Sequence, residues 1–248
     1  MIIIGTAGWS ISRPHAARFP ATGSGLERYA AVLGGVEINS SFYRPHKPET
    51  YARWADTVPD RFRFAVKCPR SITHERRLTG VEEPLTRFLG EVSALGSKLG
   101  PILVQLPPSL RFEQGVATPF FALLRARHNG AIICEPRHPS WFGVEAESCL
   151  LDQGIGRVAA DPAPVPEAAH PGGFVDLAYF RLHGSPVMYH SEYDAAHIAR
   201  MATLLAESPA AERWCIFDNT ASGAALGNTL ALQDMLSSAL RSAAPDQG

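Results

Sequence analysis

The chain has 248 residues, 46% hydrophobic and 19% charged, with a formal net charge of -1. These are the values of a globular protein with a large core, and they exclude a global attraction to nucleic acid or to an anionic membrane. A length near 250 residues suits one α/β barrel, so the expected organisation is a single domain over 1–241 with a frayed tail at 242–248.

The N-terminal run Ile2-Gly5 leaves into Thr6-Ala7-Gly8-Trp9, and a helix is expected near Leu26-Leu33 before the compact return Gly34-Gly35. Val36-Ile38 then exits into Asn39-Ser40-Ser41-Phe42-Tyr43. Tyr51, Trp54, Ala55 and Val58 recur at helical spacing after Pro48. Phe62-Val66 opens into Lys67-Cys68-Pro69-Arg70, followed by the helical stripe Leu85, Phe88, Leu89, Val92 and Leu95 and the return Leu99-Gly100. Ile102-Val104 runs into Gln105-Leu106-Pro107-Pro108, and a helix is expected over Thr118-Arg127 before the turn His128-Asn129-Gly130. The glycines of these returns are expected to supply positive φ at little steric cost.

Ala131-Cys134 exits into Glu135-Pro136-Arg137-His138, with a helix at Val144-Leu151, and Arg157-Ala160 exits into Asp161-Pro162. Between Asp161 and Asp176 stand four prolines and Gly172-Gly173, a composition that breaks helices, so the sixth βα unit is expected to be irregular. Ala178-Leu182 leads to His183-Gly184 and a helix at Ala195-Leu205 capped by Asp194. Trp214-Phe217 leads to Asp218-Asn219-Thr220 and a last helix at Leu226-Leu240. Short apolar runs alternating with helical patterns indicate a parallel sheet buried on both faces. Eight such units predict an α/β fold, a single (β/α)8 TIM barrel.

Met1-Ile4 lacks a basic leader and a long apolar segment, and Cys68, Cys134, Cys149 and Cys215 form no Cys-x-x-Cys pair. A cytoplasmic protein with reduced thiols, no secretion signal and no membrane partner is the expectation. No oligomeric state follows from these patterns.

Strand side chains alternate, so each polar exit residue shares a face with the residue two before it. Glu37 goes with Asn39, Lys67 with Ala65, Gln105 with Leu103, Glu135 with Ile133, Asp161 with Ala159, His183 with Arg181 and Tyr179, and Asp218 with Ile216. The other parity holds Val36, Ile38, Phe64, Val66, Phe180, Leu182, Cys215 and Phe217, suited to contact outer helices. The polar set, including the carboxylates of Glu37, Glu135, Asp161 and Asp218, is therefore expected to point inward at the C-terminal mouth.

At Gly5-Thr6-Ala7-Gly8-Trp9, Glu37-Ile38-Asn39-Ser40-Ser41-Phe42-Tyr43, Phe64-Ala65-Val66-Lys67, Leu106-Pro107-Pro108, Glu135-Pro136-Arg137-His138-Pro139-Ser140-Trp141, Arg181-Leu182-His183-Gly184 and Phe217-Asp218-Asn219-Thr220 the chain resembles the YecE-like family, domain of unknown function 72. The resemblance spans nearly the whole sequence and implies a TIM barrel in bacteria-type cytosolic proteins, without an established reaction. Its members look distantly similar in fold to sugar isomerases and to the endonuclease IV group of metal-dependent barrels, an analogy of fold alone. A three-zinc site is not expected, because only His183 is a histidine directly at a strand end, with His74 and His138 nearby in loops.

From these residues the expected activity is acid/base chemistry on a small anionic substrate, a phosphorylated sugar or nucleotide-related compound. Glu37 and Glu135 are the acid/base candidates, with His183 and Asp218 as a second proton-transfer or orienting pair. Lys67, Arg137 and Arg181 are expected to clamp an anion, with Arg70 and His74 on the basic loop and Asn39, Tyr43, Trp141 and Asn219 also facing the substrate. Of the aromatics Trp9, Phe42, Tyr43, Trp141 and Tyr193, about two are expected to face a ligand. No cofactor is expected. One alternative is a single divalent cation on Glu37, Glu135, Asp161, His183 and Asp218, giving a phosphodiesterase or nuclease with nucleic acid as a less favoured partner. Another is a non-catalytic binding barrel in which a salt-bridge network locks the acids.

Overall fold

The computed structural model describes residues 1–243. Its elements alternate along the chain: β1 (Ile2–Thr6), α1 (Gly25–Val32), β2 (Gly35–Ile38), α2 (Pro48–Thr57), β3 (Arg63–Lys67), α3 (Glu82–Val92), β4 (Leu99–Gln105), α4 (Gln114–Arg127), β5 (Ile132–Glu135), α5 (Val144–Asp152), β6 (Gly156–Arg157), β7 (Ala159–Asp161), β8 (Gly172–Gly173), β9 (Leu177–Leu182), α6 (Ala195–Glu207), β10 (Glu212–Phe217) and α7 (Ala224–Ala243). The expected tail begins inside α7, and 244–248 lie outside the described residues. Among the described residues, no helix is long and apolar enough to cross a membrane.

Local chemistry sets the helix starts. Ser24 and Glu27 form a reciprocal capping box before α1, the Ser24 N–H donating to Glu27 Oε2 at 2.6 Å. Pro48 opens α2, where a missing N–H costs nothing. Asp194 caps α6, its Oδ1 accepting from the His197 N–H at 2.7 Å.

The class is α/β, but regular pairing does not run unbroken round eight strands. It gives a four-stranded sheet in the order β1-β10-β9-β7 and a six-stranded sheet in the order β2-β3-β4-β5-β6-β8. Pairing is parallel except for β6 with β8. At one seam β1 meets β2 through an isolated parallel bridge, Ala7 with Glu37, and the Gly8 N–H donates to Glu37 O at 2.9 Å. At the other, the sixth apolar run divides at Val158, β6 pairing with β5 and β7 with β9. The Val158 N–H still donates to Cys134 O at 2.9 Å.

Gly34, Gly35, Gly100 and Gly130 do not adopt the positive φ expected of them. Gly35 is instead required by close approach: a Cβ there would stand 2.4 Å from Ile3 Cγ2.

The two strand faces separate two kinds of core. Ile3, Ala65, Leu103, Ile133, Val158, Ala160, Leu177, Tyr179, Trp214 and Ile216 pack into one cluster drawn from both sheets. The opposite faces pack on the helices, Val36, Ile38, Phe64 and Val66 in one cluster and Phe180, Leu182, Cys215 and Phe217 in another. Parity thus sorts these residues as the sequence predicts. All four cysteines are free and buried. The sixth unit carries only a 3-10 turn, Pro166–Ala169, and leaves a cavity of about 360 Å³ against Ala178, Phe180 and Leu204.

Candidate functional site

The C-terminal ends of β2, β3, β5, β9 and β10 bring Glu37, Lys67, Glu135, Arg181, His183 and Asp218 together, and each is buried. Arg181 is the hub. Its Nη2 donates to Glu37 Oε1 at 2.6 Å and its Nε to Glu37 Oε2 at 3.0 Å, a two-pronged pair across the sheets. Nη1 donates to Glu135 Oε2 at 2.6 Å and Nη2 to Asp218 Oδ2 at 3.0 Å. Charges this deep persist only when paired and hydrogen-bonded, and a planar guanidinium matches three carboxylates as no ammonium could.

Around this hub the remaining lone pairs are taken up. The Tyr179 hydroxyl donates to Glu37 Oε2 at 3.0 Å, and Gln105 Nε2 donates to Glu135 Oε2 at 3.1 Å. Arg137 Nη1 donates to Glu135 Oε1 at 3.0 Å. His183 lies between two acids, its Nε2 2.8 Å from Glu135 Oε1 and its Nδ1 3.1 Å from Asp218 Oδ2. Ionised carboxylates only accept, so both contacts are satisfied together when His183 is the imidazolium.

The electrostatics agree with that state. Burial alone would lower the His183 pKa, but Glu135 and the hydrogen bond that His183 donates to Asp218 raise it. Burial would raise the Glu135 and Asp218 carboxyls, yet Arg181 and His183 hold Glu135 well below the usual carboxylate range and Asp218 below its own ordinary value. Arg181, despite complete burial, is held well above its ordinary pKa by Glu135, Glu37 and Asp218.

Lys67 differs from the other cations. Among the described residues its Nζ makes no hydrogen bond and has no carboxylate within 4.0 Å. It sits 4.2 Å from the centroid of the Phe42 ring. Burial, with Arg181 nearby, lowers its pKa to about 8 against the opposing pull of Glu37, Glu135 and Asp218. Three carboxylates therefore face Arg181, Arg137, protonated His183 and Lys67, leaving one positive charge in excess.

Other expected residues stand elsewhere. Asp161 is the clearest correction: Ala159 packs with the outward residues Phe180 and Leu182, while Val158 and Ala160 join the inner cluster. Asp161 keeps the parity of Ala159 and so faces outward, accepting from the Tyr193 hydroxyl at 2.8 Å. Trp141 is core, its indole N–H on Leu110 O at 2.9 Å and its ring 5.1 Å from Phe112. Arg70 pairs with Glu75 at 3.0 Å, apart from the hub. His74 accompanies Phe42, ring centroids 4.9 Å apart, and its Nδ1 lies 2.8 Å from Thr73 Oγ1. Burial, Lys67 and Arg70 lower its pKa.

Asn219 is a loop tie, donating to Ser191 O and Asn228 Oδ1, each at 2.9 Å. The Asn39 and Asn219 side-chain oxygens are buried without a hydrogen-bond partner among the described residues. Tyr43 is exposed. Of the five aromatics, Phe42 underlies Lys67, Trp9 packs on Trp54 at 5.1 Å and Tyr193 is buried. Two neighbours escaped the sequence reading because they reach the hub from a loop. The Tyr189 ring lies edge-on to His183 at 5.7 Å, with Tyr189 at a φ of 68°, and Arg137 Nη2 points to Met188 Sδ at 3.7 Å. Gln105 was legible by parity but carried no charge to single it out.

Lys67 is thus the one cation of this cluster without a carboxylate partner among the described residues. As a cation site the cluster fits poorly: Glu37, Glu135, His183 and Asp218 are all bonded to or around a guanidinium that would repel a metal, and Asp161 faces the other way.

Comparison with known proteins gives the chain a family. A protein named YecE from Escherichia coli K12 is 34% identical over 177 residues, covering 69% of this chain and 62% of that protein, so the match spans under two thirds of the relative's length. A DUF72 family protein from Enterococcus faecalis V583 superposes with a TM-score of 0.81 at 25% identity, covering 96% of both chains. A D-tagatose 3-epimerase-like protein superposes at 0.53 with 13% identity, covering 98% of this chain and all of that one, which shows a TIM-barrel-like fold and nothing of chemistry. The model of the family described as protein of unknown function DUF72 matches residues 3–247, and the chain belongs to that family.

Proposed function

We propose that the two sheets are arcs of one eight-stranded (β/α)8 wall and that the polar cluster at its C-terminal mouth makes the protein an enzyme for a small anionic substrate. A phosphorylated sugar or nucleotide-related compound is the class that fits, with acid/base chemistry as the reaction type. The observation that carries this reading is Lys67, a nearly buried ammonium with no carboxylate of its own among the described residues, beside a cluster in which every acid is already paired. An anion completes the charge balance there, with Arg137 as the neighbouring donor.

In this reading Glu37 and Glu135 position Arg181 rather than shuttle protons, since its guanidinium already engages their oxygens at 2.6 to 3.0 Å. Lys67 is the group suited to give and take a proton near neutral pH. Titration of the purified protein with inorganic phosphate and a panel of sugar phosphates tests the reading. Binding is expected, weakened tenfold or more by Lys67→Met with the fold intact. No stabilisation by any anion, or equal affinity in the variant, overturns it.

The locked acids also favour a second reading, a barrel that binds without turnover. Depletion of a compound from a metabolite mixture by the parent protein would decide for the enzyme, and ligand retention with no depletion would decide for the binder.

A further inference from the structure

Beside the mouth lies a cavity of about 260 Å³ whose lining includes none of the acid cluster. Phe42 borders it, and the same ring carries the Lys67 ammonium at 4.2 Å. Its lining holds Arg44, Arg70 and Arg87 against Glu75 and Glu91, again one positive charge in excess.

Those charges are unevenly matched. Arg70 is satisfied by Glu75 at 3.0 Å, whereas the Arg87 to Glu91 separation of 3.8 Å is beyond hydrogen-bond length. The Arg44 guanidinium has no ion pair or hydrogen bond among the described residues, only its backbone N–H being engaged, on Ser40 O at 3.2 Å.

We propose that this cavity is a distal subsite for a second anionic group of the same ligand, held by Arg44 and Arg87, so that the substrate is two-headed: one anion at Lys67 and one across Phe42. The inference rests on the reading of Lys67 as an anion site. A cavity of about 260 Å³ has room for one phosphate or carboxylate with a few carbons. Two linked heads then gain affinity because the second binds at the effective concentration set by its tether.

The test compares methylphosphonate with alkane bisphosphonates carrying two to five methylenes, by calorimetric titration of the parent, an Arg44→Ala/Arg87→Ala double variant and Lys67→Met. One chain length is expected to bind the parent at least tenfold tighter than methylphosphonate. The double variant should lose that gain while keeping its methylphosphonate affinity and its melting temperature. No tighter binding at any length, or a gain that survives in the double variant, overturns the subsite. Unchanged methylphosphonate affinity in Lys67→Met would instead overturn the Lys67 reading beneath it.

Discussion

Arg181 grips Glu37 through two parallel bonds, Nη2 to Oε1 at 2.6 Å and Nε to Oε2 at 3.0 Å, with neither side chain exposed to solvent. The pair joins β9 of one sheet to β2 of the other, so the hub ties the two sheets together as well as setting the charge of the mouth.

Removing the hub should therefore be costly. Arg181→Met strands three buried or nearly buried carboxylates, and breaking a buried pair from one side costs about 3–5 kcal/mol. Urea unfolding should show a loss of about that size, partly recovered by adding Glu37→Gln, which takes away one stranded charge. A loss below about 1 kcal/mol would mean that water reaches the acids and that the cluster is not the closed network seen here.

The inward set Glu37, Lys67, Glu135, Arg181, His183 and Asp218 was legible because alternation along a regular strand is a strict period of two. Asp161 was misread because that period says which residues share a face, not which face it is. Its run divides at Val158 between two partners, and only Val158 and Ala160 reach the inner cluster. Trp141 and Tyr189 illustrate a different limit. A loop aromatic is core or rim according to contacts distant in sequence, here Leu110 for one and His183 for the other. The pairing of Arg70 with Glu75 was a local choice between two acidic neighbourhoods that spacing does not decide.

The seam between β1 and β2 depends on the absence of a side chain. A Cβ on Gly5 would stand 2.1 Å from Gly35 O, a backbone atom that cannot swing away. Gly5→Ala is expected to destabilise by about 1–3 kcal/mol or more, the cost of overpacking a close strand approach. Gly34→Ala, with nothing within 4 Å of its Cβ position, should stay within about 0.5 kcal/mol of the parent. Equal melting temperatures for the two variants would show that the strands can part without penalty.

Stability should peak in mildly acidic solution as far as the hub decides it. Glu135 and Asp218 have lowered folded pKa values, so their contribution is full above the ordinary carboxylate range and is lost as pH falls through the lower folded values. His183 has a raised one, so its contribution is full below 6.5 and is lost as pH rises through the higher folded value. Above about 8 the lowered Lys67 pKa acts in the opposite direction, because the unfolded chain then binds the extra proton. Urea midpoints of the parent should fall from pH about 6.5 toward 8, and His183→Gln should abolish that slope. An unchanged slope in the variant would place the titrating group elsewhere.

Lys67 gives the sharpest pH signature, because its ammonium is both the anion's partner and the group that titrates. Burial and Arg181 disfavour the charged form, bringing its pKa to about 8, so below that value the ammonium is present and above it the neutral amine has no attraction for an anion. Sulfate is the probe of choice, since it does not itself titrate in this range. Its affinity should fall as pH rises through about 8, approaching a tenfold loss per pH unit on the alkaline side if one proton controls binding. Lys67→Arg should bind sulfate with no such dependence, because a guanidinium stays charged throughout, while Lys67→Met should bind weakly at every pH. Affinity that is flat in the parent between pH about 7 and 9 would remove Lys67 from the contact. The anion would then have to lean on Arg137, whose Nη1 is already committed to Glu135 at 3.0 Å.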